Sequence, residues 1–281
     1  MTASTRPGSP NRAYALGLAR AFAGAIIFGL PLLMTMEMWF LGISVHSGRL
    51  LVFLLVNFAI LVGLSRFGGF ERTDTLAEDV MDAFAACGVG ILGAAVVLFL
   101  LAIVGPDMPL DEIAGKIAIQ SVPMSFGAMI ARKQLSGGGD EPRDEEEAVR
   151  GASYGGQLFL MAAGALFLSF NVAPTEEMQL IGYMMSTWHL LGLILVSLLL
   201  LHVFVYRVGF AGQEEHPEGA GPLRTFFAYT VPGYGIALAV ALFVLWTFGR
   251  VDGTAHDQVA ATMAVIAFPG ALGAAIARLV V

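Results

Sequence analysis

The chain has 281 residues, 57% of them hydrophobic and 13% charged, with a mean hydropathy of +0.77. An ordinary soluble domain is about 25% charged, so this composition excludes one and points to a chain that crosses a bilayer many times. The net charge of −7 is no sign of nucleic-acid binding, because the acids gather in loops, and the lone Cys87 excludes an internal disulfide or a cysteine-based metal site.

In chain order, residues 1–12 form a short polar tail with Arg6 and Arg12, expected on the cytoplasmic side. The apolar run behind it reads as an uncleaved first span, because removal of a signal peptide would break the repeat described next. Four spans are predicted at 13–34, 49–65, 80–104 and 113–131. A solvated linker over 133–152 follows, with Gly137-Gly138-Gly139 and the acidic run Asp144–Glu147. Four more spans are predicted at 153–173, 189–206, 225–248 and 259–280. At 1.5 Å per residue about 20 residues cross the hydrocarbon. The expected fold class is all-α: a polytopic membrane protein of eight helices in two parallel four-helix repeats, 13–132 and 153–281.

The repeat rests on motifs in common order. Ala23-Gly24-Ala25 followed by Thr35-Met36-Glu37-Met38 recurs as Ala163-Gly164-Ala165 followed by Thr175-Glu176-Glu177-Met178. Asp111–Arg132 aligns without a gap to Asp257–Arg278, and nine of the 22 positions are identical, including Pro123/Pro269, Gly127/Gly273 and Arg132/Arg278. An even number of spans per repeat gives both halves one orientation, with a symmetry axis along the membrane normal. With both termini in the cytoplasm, twelve basic residues fall inside and only Arg49, Lys116 and Arg250 outside, the asymmetry expected of an inner-membrane protein. Trp39, Trp188 and Trp246 then fall near the outer interface. Thirteen arginines against two lysines suggest a GC-rich bacterial genome.

The candidate pathway residues are few. Glu37 and Glu177 occupy equivalent positions near the outer ends of the first spans. They read either as carboxylates favoured at a helix N-terminus, with Thr175 as a cap, or as a pair flanking a cation or proton route. Arg49 and His189 each follow the glutamate by 12 residues, placed to pair with an acid of their own or the other half. The intervening segments 36–48 and 176–188 read as interfacial or re-entrant helices. Asn57 sits centrally in the second span and either bridges helices or lines a cavity. Pro123 and Pro269 are expected to kink the fourth and eighth spans, as Pro31 and Pro232 kink the first and seventh. Gln120, Ser121 and Ser125 surround the first of these kinks. Gly127-x-x-x-Ala131 and Gly273-x-x-x-Ala277 are faces that let backbones approach. Lys116, one turn after Glu112, is expected to pair with it at the surface.

No His-Glu-x-x-His pair, Gly-x-Ser-x-Gly elbow or phosphate-binding Gly-x-x-x-x-Gly-Lys occurs, and the five histidines are scattered. No enzymatic activity, cofactor, metal site or nucleic-acid partner is therefore expected. The expected partners are the lipid bilayer and a small ion or solute, with a homo-oligomer left open.

With its repeat organisation, Thr35-Met36-Glu37-Met38-Trp39 and Ala173-Pro174-Thr175-Glu176-Glu177, the chain resembles an uncharacterised bacterial family of integral membrane proteins, a likeness that lends no activity. Ala21 to Glu37 looks like the first helix of the endolysosomal-type potassium channels, although Ala23-Gly24 stands where that family carries Ser-Asp. Two readings follow: a channel or transporter that passes a small solute or ion, with a cation favoured, through a kinked-helix interface between the repeats, or a non-transporting sensor, assembly factor or structural subunit.

Overall fold

The computed structural model describes residues 10–68, 75–135, 154–207 and 222–280. The tail before Pro10, the loop 208–221 and most of the expected linker 133–152 lie outside the described residues. The elements are α1 (Pro10–Leu33), α2 (Met36–Ser44), α3 (Ser47–Gly68), α4 (Leu76–Leu100) and α5 (Leu110–Leu135). After the linker come α6 (Tyr154–Val172), α7 (Glu177–Met184), α8 (Thr187–Arg207), α9 (Pro222–Thr225), a π-helical turn (Phe226–Thr230), α10 (Val231–Thr247) and α11 (His256–Val280). Among the described residues eight helices are long and apolar enough to cross a membrane, α9, the π turn and α10 together forming one of them. No strand occurs among the described residues. Hydrocarbon offers backbone N–H and C=O groups no partner, so a spanning segment must pair them within itself. That requirement outweighs the poor helix propensity of Gly88, Gly90 and Gly93 inside α4.

Each half is built around its last helix. α5 packs against α1, α2, α3 and α4, and α11 packs against α6, α7, α8 and α10. The closest approaches are α1 to α5 and α6 to α11. A Cβ on Gly24 would collide with the Gly127 carbonyl oxygen and with Ala131; one on Gly164 would collide with the Gly273 carbonyl oxygen and with Ala277. Small residues stand there because the backbones touch, the main source of cohesion when the surrounding lipid is as apolar as the protein. Pro123 and Pro269 lie inside continuous helices, and Pro31 lies in the last turn of α1. Pro232 opens α10 directly behind the π turn, whose Ala228 carbonyl accepts a 2.7 Å hydrogen bond from the Tyr154 hydroxyl.

The segments 36–48 and 176–188 each contain a short helix that leans on its half's last helix. Gly42 of α2 abuts the Gly115 and Lys116 backbone at the start of α5, and Gly182 of α7 abuts Thr262 of α11. The halves meet along a seam of rings. Phe53 of α3 stacks on Phe170 of α6 at 5.2 Å, with Phe243 and Phe248 within 6.1 Å; Phe167 meets Phe28 at 5.6 Å and Phe126 at 5.9 Å. At the linker end the seam closes with Gly63 against the Phe159 ring.

Candidate functional site

The buried polar chemistry lies mostly inside the first half. On α5, Ser121 and Ser125 are one turn apart and face α4, where Gly90 comes so near that a Cβ would sit 2.7 Å from the Ser121 carbonyl oxygen and 2.9 Å from the Ser125 nitrogen. The Asn57 side chain of α3 reaches the same place: its Nδ2 donates to Ser125 Oγ at 3.2 Å, and Ser125 Oγ donates to the Val122 carbonyl at 2.8 Å. Ser121 Oγ donates to the Ala118 carbonyl at 2.7 Å. Both hydroxyl protons are thus used on backbone, and Asn57 Oδ1, on a residue 2% exposed, has no partner. The trio therefore keeps acceptor lone pairs that no group among the described residues uses. Gln120 faces the other way, its Nε2 3.4 Å from the Leu32 carbonyl and its Oε1 also unpartnered.

Towards the linker end, the α3–α4 contact carries charge. Ser65 Oγ donates to Asp82 at 3.2 Å, and Arg66 Nε donates to Asp79 at 3.0 Å, with Asp79 only 1% exposed. Thr75 caps this end of α4 by accepting from the Glu78 N–H at 3.4 Å, beside the acids of the first turn. The second half differs in kind. Its fully buried polar side chains among the described residues are all hydroxyls: Ser169, Ser197, Thr230, Thr247 and Thr262. Ser197, Thr247 and Thr262 donate to the carbonyl one turn back in their own helix, the quietest way to hide a hydroxyl in an apolar span. Thr230 pairs with His202 Nδ1 at 2.9 Å.

The residues singled out in the sequence are thus divided among several places. Asn57, Ser121 and Ser125 come together; Glu37, Glu177, Arg49 and His189 do not join them. Glu37 and Glu177 each lie in the first turn of their own short helix, half-exposed and exposed, and no hydrogen bond or ion pair links them. Thr175 does not cap α7. Its hydroxyl donates back to the Val172 carbonyl at 3.0 Å, as Thr35 donates to Leu32 at 2.8 Å, and Glu176 takes the N-cap position. Arg49 pairs with neither glutamate. It forms a bidentate bridge to Asp252 of the other half at 2.6 and 2.9 Å, donates to the Trp246 carbonyl at 3.1 Å and lies over the Trp246 ring at 5.2 Å. The Arg49 guanidinium holds the Asp252 carboxyl below its ordinary range by hydrogen bonding and charge. His189 bonds locally to Ser186 at 2.8 Å.

Lys116 departs furthest from expectation. It is not paired with Glu112 at the surface but 7% exposed, its Nζ 3.4 Å from the Ile103 carbonyl and 3.4 Å from Met108 Sδ in the loop before α5. The i,i+4 rule holds for a solvated helix face; here α2 covers that face through Gly42. Sequence reading missed the partner of Arg49, 203 residues away, and the weight of Asp79. The available signal for Asp79 was its position near the start of an apolar span, opposite Arg66 at the end of the preceding one.

No curated protein and no solved structure matches the chain. A family model described as "putative integral membrane protein (DUF2391)" matches residues 17–281. The eight long apolar helices and this match agree, and the chain belongs to that family of multi-pass integral membrane proteins.

Proposed function

We propose that this protein moves a small cation across the membrane, and that the route runs through the first half, where α3, α4 and α5 meet, instead of between the halves. The carrying observation is the buried trio of Asn57, Ser121 and Ser125, with the unpartnered Asn57 Oδ1 at mid-span. An acceptor left unmet in hydrocarbon is costly, and intramembrane polar groups of this kind mark ion and proton routes. At the linker end of α3 and α4 the same contact carries the Arg66–Asp79 ion pair and the Ser65–Asp82 hydrogen bond, which continue the polar line from the trio. The aromatic seam argues against a route between the halves, since rings at van der Waals contact leave no polar lining. On this reading the chain is a tandem duplication whose first half has specialised, its buried amides Asn57 and Gln120 having no buried amide counterpart in the second half among the described residues. It sits in a bacterial inner membrane with the linker and both termini in the cytoplasm.

Reconstituted protein should carry a monovalent cation, protons included, into liposomes, and Asn57→Leu should abolish that flux while the protein still folds. No flux of any ion in a panel by folded protein refutes the proposal. A second reading, a non-transporting structural or sensory subunit, is favoured by the same dry seam, and it expects Asn57→Leu to change stability alone.

A further inference from the structure

Lys116 is an unusual residue to hide. An ammonium carries three donor protons and is strongly hydrated in water, so burial demands acceptors in return. Lys116 has two, both long: a carbonyl at 3.4 Å and a thioether at 3.4 Å. Among the described residues no carboxylate lies within ion-pair distance of it. Packing does not explain the choice. The second half builds the same crossing of a short helix over its last helix with Thr262 at the aligned position, and that hydroxyl is satisfied by the Gln258 carbonyl at 3.0 Å. A lysine is therefore not needed to make the crossing fit. Its place is informative too: Lys116 is near the short-helix end of α5, and its Nζ lies against the loop that joins α4 to α5, the two helices that bring Gly90, Ser121 and Ser125 together. The loop that supplies both acceptors carries Ala102 at φ +57°, a left-handed conformation that a residue with a side chain adopts at a cost.

We propose that Lys116 is the charge-selecting residue at the mouth of the first-half route, an inference that rests on the function proposed above. Its ammonium stands where an entering cation would first lose water, and it repels that cation. The loop 101–109 holds it there through the Ile103 carbonyl and Met108 sulfur. Entry requires the loop and the ammonium to move off together, so the strained loop and the lysine form one latch. Lys116→Thr, which copies the residue of the other half, and Lys116→Met remove the charge and retain a packable side chain; Lys116→Arg keeps the charge.

Two readouts on the full-length protein separate this inference from the transport reading. The first introduces Ser121→Cys in a Cys87→Ala background and compares modification rates with a cationic and a neutral thiol reagent of equal size. Lys116→Thr and Lys116→Met should each raise the cationic-to-neutral rate ratio by about twentyfold, the factor that a unit charge roughly 9 Å away imposes at an effective dielectric of about 20, while Lys116→Arg leaves it unchanged. An unchanged ratio in both neutral variants, or no modification by either reagent in any variant, overturns the role assigned to Lys116. The second is liposome flux without the cysteine. A rise in cation flux with Lys116→Thr, lost again when Asn57→Leu is added, supports both proposals. A changed reagent ratio with no flux in any variant sinks the transport reading and leaves Lys116 selecting charge at a closed mouth. Flux that depends on Asn57 but not on Lys116, with an unchanged ratio, sinks this inference alone.

Discussion

Phe53→Ala tests whether the halves are held together by the aromatic seam. Phe53 is fully buried and its ring lies 5.2 Å from Phe170, 6.1 Å from Phe243 and 6.0 Å from Phe248, all in the other half. Each such ring pair contributes about 0.5–1.5 kcal/mol beyond the area it covers. Truncation also leaves a cavity that the helices converging on this point cannot easily close, so the total loss should be about 3–5 kcal/mol. The control is Phe58→Ala on the same helix. Phe58 is half-buried against Phe84, which is itself exposed on the apolar periphery, so lipid can fill the space and the loss should stay below about 1.5 kcal/mol. Unfolding in mixed micelles, followed by tryptophan fluorescence or circular dichroism, measures both. The Phe53 variant should also let the halves separate in a limited proteolysis experiment at the linker, where the Phe58 variant remains associated. Equal losses for the two variants would refute the seam as the main join.

Three further outcomes follow from other contacts. Gly273→Ala drives a Cβ into the Gly164 backbone and should destabilise by about 1–3 kcal/mol, whereas Gly88→Ala and Gly235→Ala, with nothing within 4 Å, should be neutral or gain about 0.5–1 kcal/mol; thermal denaturation in detergent ranks them. Because Arg49 depresses the Asp252 pKa, the tie between halves is fully present above the unfolded carboxyl value of about 3.9 and is lost as pH falls through the lower folded value. The stability difference between wild type and Asp252→Asn should therefore be constant near neutrality and vanish in acid; a difference that grows on acidification contradicts this sign. Glu37→Gln should lower cation uptake severalfold at low ionic strength and little at high, since Glu37 opens the short helix that crosses Lys116, while Glu177→Gln should leave uptake unchanged; equal effects in flux assays would mean that the halves share one vestibule.

The eight spans could be read directly, because length and apolar content are all that hydrocarbon demands of a crossing helix. The small-residue faces at Gly127/Ala131 and Gly273/Ala277 were equally plain, since few residues other than glycine allow backbones to touch. Helix facing was not. Phe53 and Leu55 are both apolar and two residues apart, yet the first is sealed among rings and the second meets the periphery. In water a helix shows its buried side by a polar opposite face; in lipid both faces are apolar and the periodicity disappears. Asn57 was visible as the one amide in its span, but its partner Ser125 depended on which faces of α3 and α5 turn together. Lys116 was misread for a related reason. Spacing alone put it beside Glu112, and nothing local announced that α2 folds back over that turn. Arg49 and Asp252 meet only because the start of α3 and the end of α10 converge, which no local rule describes.

The enclosure of α5 also bears on how the chain is made. It is the least apolar of the eight spans and the most enclosed by its neighbours, with Lys116, Gln120, Ser121 and Ser125 all hidden in the finished protein. As it leaves the ribosome it meets lipid without those neighbours, and a segment so polar partitions poorly by itself. Its groove is provided by α1, made three spans earlier, whose Gly24 receives Gly127. Release of α1 into the bilayer must therefore be delayed, or reversed by diffusion, until α5 arrives. Nascent chains arrested far enough past Leu135 for α5 to have cleared the ribosome should insert α5 efficiently when α1 is intact and poorly when Gly24 is replaced by leucine, so that a packing residue governs an insertion yield.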